Sequence, residues 1–231
     1  LGYQKYLITN NINFFIRILI FISLCIIILS FYIRCLNNKE HFKSNNIDIS
    51  NLIIVPNIYL TYKNKNLVPS KVFINFSKFA SNYNIIFYND YQCLEFLKDN
   101  YNLDIVNAYL RLKVKAHKAD LFRYCILYKT GGIYFDIKTE LLKPISSFIN
   151  NNYFYTCICN SKQCIYQGIL ATRKNNPILK ILIDDIVKKS YNRNIPYQLF
   201  INYFLKVLTE KCQSNIRPGL NRFIKPTPYA Y

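Results

Sequence analysis

From residue 51 onward, apolar positions recur at two different spacings, and each change of spacing marks a change of element. The run NLIIVPNIYL (51–60) is nearly all apolar and rich in β-branched residues, which predicts a first strand. Pro69-Ser70 opens a helical pattern to about Ala80. NIIFYND (84–90) predicts a second strand ending in a turn, with Asp90 capping a helix that carries Leu94 and Leu97 on one face. Residues 103–112 and 116–129 have helical spacing, Gly131 is a helix stop, and Gly132 to Ile137 reads as a strand. Residues 158–174 hold two more short strands. Asn176-Pro177 then opens a helix to about Lys189, and an amphipathic helix covers about 197–211. Strands alternating with helices predict an α/β domain over 52–231, with a mostly parallel sheet flanked by helices.

Ahead of this domain the pattern is different. Residues 12–33, INFFIRILIFISLCIIILSFYI, are apolar apart from Arg17 and a few small polar residues. As a helix they would extend about 33 Å, the thickness of a bilayer's hydrocarbon core. Arg17, near one end, can snorkel to the headgroups. A cleaved signal peptide would have a shorter apolar core and small residues at its cleavage site. The expectation is therefore a tail (1–11), a single transmembrane signal anchor (12–33) and a polar stem (34–51). Lys5 and Arg17 on one side against Arg34, Lys39 and Lys43 on the other leave its orientation unassigned by charge.

Composition adds a strong positive field. The net charge is +18, of which +16 lies beyond residue 33. Such a field attracts phosphates. The lysines are dispersed, however, and no recognition helix, RNP-like motif or zinc-finger spacing is present, which argues against a nucleic-acid reader. Of the 8 cysteines, Cys157, Cys159 and Cys164 cluster, but the only histidines are His41 and His117, a poor set for zinc. Most of the cysteines are expected to be buried hydrophobes.

The chemistry concentrates in AHKADLFRYCILYKTGGIYFDIKTELLKPI (116–145). Asp120 and Arg123 are three apart on a helix and share a face, while Leu121, Cys125 and Tyr128 can pack inward. On its own the pair reads as a surface ion pair or as a clamp, with Asp120 accepting from hydroxyls and Arg123 donating to oxygens. Gly131-Gly132 allows a sharp turn and close approach of a ligand, and the strand after it delivers Asp136 to its carboxyl end. A carboxylate there suits a divalent cation bridging a diphosphate.

This stretch resembles the glycosyltransferases with a DXD-containing sugar-binding region, a group that includes fungal initiating and sphingolipid mannosyltransferases. Ala116, Ala119, Asp120, Arg123, Tyr124, Leu127, Tyr128, Gly131, Gly132, Tyr134, Asp136 and Lys143-Pro144-Ile145 stand in register with the family pattern. The likeness extends over about residues 52–190. It implies a GT-A fold with a Rossmann-like sheet and a membrane-anchored hexosyltransferase of the Golgi or secretory lumen. Such an enzyme would retain anomeric configuration and use a UDP- or GDP-hexose, manganese or magnesium, and a glycan or lipid acceptor. On matching positions, Asp120, Arg123, Tyr124, Gly131, Gly132 and Asp136 would hold donor sugar and nucleotide, and Asp136 the metal.

Two positions depart from the pattern. Lys138 stands where the family has its second Asp. If the strand runs on, residues 136, 138 and 140 face one side, and Lys138 points at the metal position. Either its ammonium contacts the diphosphate, with Asp136 and Lys138 as the catalytic pair and a weakened metal dependence, or Asp136 holds a metal helped by Glu140 or water, or the site only binds. The family's later His- or Trp-containing segment is also unmatched: Tyr197-Gln198-Leu199 occupies its neighbourhood, and no His follows residue 117. The domain's C-terminal end is thus expected to be incomplete. Two other classes stay open: an inactive sugar- or nucleotide-binding module, and a basic membrane-surface interaction protein.

Overall fold

The computed structural model describes residues 54–149, 153–158, 165–211 and 224–226. The expected tail, anchor and stem (1–51) all lie outside them. Among the described residues no helix is long and apolar enough to cross a membrane.

Three parallel strands form the heart of the domain. β1 (Asn57–Thr61) lies between β2 (Asn84–Tyr88) and β3 (Gly132–Asp136), parallel to both. β1 begins one residue after Pro56, later than the apolar run suggested. A strand paired on both sides needs its N–H groups, and proline has none. The Pro56 carbonyl instead accepts from the Asn84 N–H at 2.8 Å.

The mostly parallel sheet expected from the sequence is in fact mixed. Its order is β2-β1-β3-β6-β5, and β6 (Ile165–Thr172) pairs antiparallel with both β3 and β5 (Tyr155–Ile158). For the β5–β6 pair the reason is connection length. Only residues 159–164 separate β5 from β6, whereas a parallel return needs a crossover of about a dozen residues or more. A short second sheet pairs β4 (Thr139–Leu141) with β7 (Ile224–Pro226).

Alternation along the strands feeds two apolar layers. Ile58, Leu60, Ile133, Phe135 and Ile169 point to one face, where α1 (Ser70–Phe79) adds Val72 and Phe76. Across that layer Asn75 behaves like a strand residue: its side chain donates to the Leu141 carbonyl and accepts from the Leu141 N–H, both at 2.9 Å. Tyr59, Tyr134 and Leu170 point to the other face. There they meet α2 (Asp90–Asn100), α3 (Leu103–Arg111), α4 (Lys115–Thr130), α5 (Pro177–Lys189) and α6 (Leu199–Lys211). The predicted helices match these closely. α2 is capped by Asn89 and not Asp90, because Asn89 and Gln92 satisfy each other's backbone N–H in a capping box at 2.9 and 3.0 Å. Cys93, Cys125 and Cys157 are free and buried, as expected of apolar fillers.

α4 departs most from its sequence reading. Leu121 and Cys125 pack inward as expected, but Asp120 to Leu127 are all buried, as is His117. Sheet and helices surround residues 120–127, so along them no solvent face is left to show an amphipathic stripe. It ends at Gly131, and both Gly131 and Gly132 have positive φ, 68° and 104°. A methyl group on Gly132 would lie 2.8 Å from the Asn57 carbonyl oxygen. Gly132→Ala should therefore lower the urea midpoint by the equivalent of about 1–3 kcal/mol. An unchanged midpoint would show that the β1–β3 start is not so tightly fixed.

Candidate functional site

The parallel register brings the last residues of three strands to one edge. Thr61 is level with Tyr88 on one side and with Asp136 on the other. The carboxyl ends of parallel strands are where open α/β sheets bind ligands. Tyr134 and Asp136 are two apart on β3 and so share a face, the one covered by α4. Helix and strand run in opposite senses there, which brings the first turns of α4 to the same edge.

Arg123 joins them. Its Nη2 lies 3.4 Å from Asp120 Oδ1 and 3.3 Å from Asp136 Oδ1. Its Nη1 donates to the Gln167 carbonyl on β6 at 2.7 Å, and its Nε to the Ala119 carbonyl at 3.2 Å. The guanidinium lies over the Tyr134 ring at 4.6 Å, a cation–π contact. The Tyr134 hydroxyl donates to Asp136 Oδ1 at 3.1 Å and meets Thr61 Oγ1 at 2.8 Å. Asp120 is 6% exposed, which rules out the surface ion-pair reading; the Asp136 side chain, at 34%, is the carboxylate that reaches the edge.

One guanidinium between two carboxylates leaves an excess negative charge in a low-dielectric setting. Burial is the largest influence on Asp120 and pushes its carboxyl up to about 6; Arg123 pulls it down, and Asp136 pushes it further up. Arg123 moves the other way from its own burial, since Asp136, Tyr134 and Asp120 all hold the guanidinium charged. Burial also raises the Tyr134 phenol, against the pull of Arg123.

The remaining predicted residues are placed as follows. Tyr124 is fully buried, and burial first, then Asp120, holds its phenol well above its ordinary range. Gly131 and Gly132 lie at the opposite end of β3 from Asp136, where they pack against Lys174 and Asn57. The structure does not bring them to the Asp136 edge. Lys138 is exposed, just past Asp136. The strand does not run on through it: β3 stops at Asp136 and the chain turns at Ile137-Lys138 before β4, so the alternation argument for residues 136, 138 and 140 fails. Among the described residues no three His, Cys, Asp or Glu side chains form a metal-sized group. Thr61 and the Gln167 carbonyl were not singled out in the sequence, and Tyr134 was named there as a match to the family pattern without a role at the site. Thr61 could have been found as the last residue of the first strand, and Tyr134 from its i,i+2 spacing to Asp136.

Residues 69–155 match the family described as "Glycosyltransferase sugar-binding region containing DXD motif". An uncharacterized glycosyltransferase of Acanthamoeba polyphaga mimivirus is 26% identical over 132 residues, 56% of this chain and 53% of that protein. The initiation-specific alpha-1,6-mannosyltransferase of Candida albicans is 40% identical over 65 residues, 27% of this chain and 17% of the relative. Its Schizosaccharomyces pombe namesake is 45% identical over 49 residues, 21% of this chain and 12% of the relative. The chain thus spans about half the length of the viral relative and less of the fungal ones. A solved structure titled PaToxG Glycosyltransferase superposes with a TM-score of 0.55 at 19% identity, over 70% of this chain and 71% of that one, a likeness of fold. The matched residues 69–155 hold Asp120, Arg123 and Asp136, so this ion group lies within the part of this chain that is similar to the glycosyltransferases with a DXD-containing sugar-binding region.

Proposed function

We propose that the protein transfers a hexose from a UDP- or GDP-sugar to a glycan or lipid acceptor, with retention of anomeric configuration. The observation that carries this reading is the Asp120–Arg123–Asp136 group, with Asp120 and Arg123 buried and Asp136 half-open, set at the carboxyl edge of the parallel strands inside the matched region. The fungal relatives' names favour mannose as the hexose.

The residues divide the work by exposure. Asp136 is the accessible carboxylate and takes ribose hydroxyls or a cation. Asp120 accepts from sugar hydroxyls. Arg123, whose Nε, Nη1 and Nη2 all engage protein oxygens, holds the two carboxylates in place. Lys138, in the turn after Asp136, supplies positive charge near the departing diphosphate. A manganese or magnesium ion fits one carboxylate plus substrate phosphates, a common donor set for such ions, and it would neutralise leaving-group charge. The apolar run 12–33 supports a single-span anchor with the domain in the secretory lumen. Protease protection of intact microsomes tests this, and digestion of the domain without detergent would refute it.

Calorimetry with UDP- and GDP-mannose should show binding to one of them. Asp136→Ala should weaken it about tenfold or more, or about 1.4 kcal/mol. Lys138→Ala should weaken it less in manganese and more after chelation. Failure of both nucleotide sugars to bind, or an Asp136→Ala variant that binds as well as the native chain, would sink the assignment.

Asp120 adds a pH signature. With its carboxyl up near 6, ionised acceptor oxygens are lost as pH falls. Donor affinity should drop about tenfold from pH 7 to 5, and Asp120→Asn should flatten that profile. Stability should move in the opposite sense. The folded state holds this proton more tightly than the unfolded chain, so the contribution is complete below the ordinary value of 3.8 and is lost as pH rises through about 6. Donor titrations and urea midpoints at matched pH, with Asp120→Asn as the control, check both.

A further inference from the structure

A concave site apart from the Asp136 edge lies where α3 passes into α4. It has a volume of about 660 Å³ and is walled by the end of α3, the first turn of α4 and the loop after α5. Its charged lining is entirely basic: Arg111, Lys113 and Arg193, with no aspartate or glutamate. Arg111 is held in position. Its Nε and Nη2 both donate to Ser190 Oγ, at 3.1 and 2.9 Å, and its guanidinium stacks 3.9 Å over the Tyr191 ring. Two of its five donors are spent on a neutral hydroxyl. Among the described residues, none of the three cations has a carboxylate partner.

The helix end facing this cleft is electropositive too. α4 starts from Val114 with no side-chain cap and no acid in its first turn, so backbone N–H groups and the positive end of a 16-residue helix face the basic wall. His117, 1% exposed, lines the cleft from that turn and donates Nε2–H to the Tyr197 carbonyl at 3.2 Å. It stands one helical turn before Asp120. The cleft therefore adjoins the candidate donor site through α4.

We propose that this cleft binds a phosphate group, monoester or diester, carried by the acceptor. This rests on the glycosyltransferase reading for the word acceptor. The phosphate chemistry rests on the cleft itself: an oriented arginine fork, two further cations, an uncapped helix start and no competing carboxylate.

The test uses the full chain and mannose 6-phosphate as soluble probe, with mannose as the neutral control. Vesicles of phosphatidylinositol in phosphatidylcholine, against phosphatidylcholine alone, form the lipid arm. The phosphate form should bind about tenfold more tightly than its neutral control in at least one arm, and the arm that responds identifies the source. Arg111→Gln and the fully exposed-loop variant Arg193→Gln should each reduce that preference severalfold, and together abolish it. Neither should change UDP- or GDP-mannose affinity by more than about twofold. Asp136→Ala should leave probe binding intact, which separates this site from the donor reading. No phosphate preference in either arm, a preference indifferent to both arginines, or displacement of the probe by the nucleotide sugar would overturn the proposal.

Discussion

The site depends on one buried cation. Arg123 is the point where α4, β3 and β6 meet: it faces Asp120 on its own helix, Asp136 at a strand end, a β6 carbonyl and the ring of Tyr134. A guanidinium so far from water persists only if its donors are satisfied and its charge is matched, and here two carboxylates and a π face do that. Removing it would strand the Asp120 carboxylate in a dry interior and leave Asp136 unpaired at the edge, at a cost of about 3–5 kcal/mol. Its primary role is therefore architectural. By engaging Arg123 through one oxygen, Asp136 keeps a defined orientation while remaining partly open at the edge.

Local chemistry made much of the fold legible. Asn176-Pro177, Pro69-Ser70 and Gly131 are start and stop signals whose mechanism is contained in a few residues, and the helices begin and end beside them. The β6 and β5 directions were not legible, because strand polarity depends on connection length and pairing partner. The Asp90 assignment failed for a subtler reason: Asn89 and Asp90 are both good caps, and the reciprocal bond from Gln92 decides between them.

At the site, Asp120, Arg123 and Asp136 were visible as a motif and proved to be neighbours in space. Their burial was not visible, since i,i+3 spacing is the same on a wet helix face as on a dry one. The glycine pair was read as room for a ligand, yet its neighbours are the backbone of Lys174 and Asn57. Lys138 would have faced the side of Asp136 had the strand run on, and a two-residue turn removes it from that alternation. In each case the residue type was informative about conformation and silent about distance.

The enclosure of α4 has a consequence for how the domain is made. The helix lies between β1 and β2, already synthesised, and β6, α5 and α6, still to come. The Gln167 carbonyl that Arg123 requires is 44 residues downstream. Until that carbonyl arrives, an arginine, two aspartates and a run of large apolar side chains share a surface that only the completed domain can cover. A nascent or truncated chain would therefore expose a large apolar segment and the charged groups of the candidate site together, and quality control that recognises the first would also discard chains that lack the second.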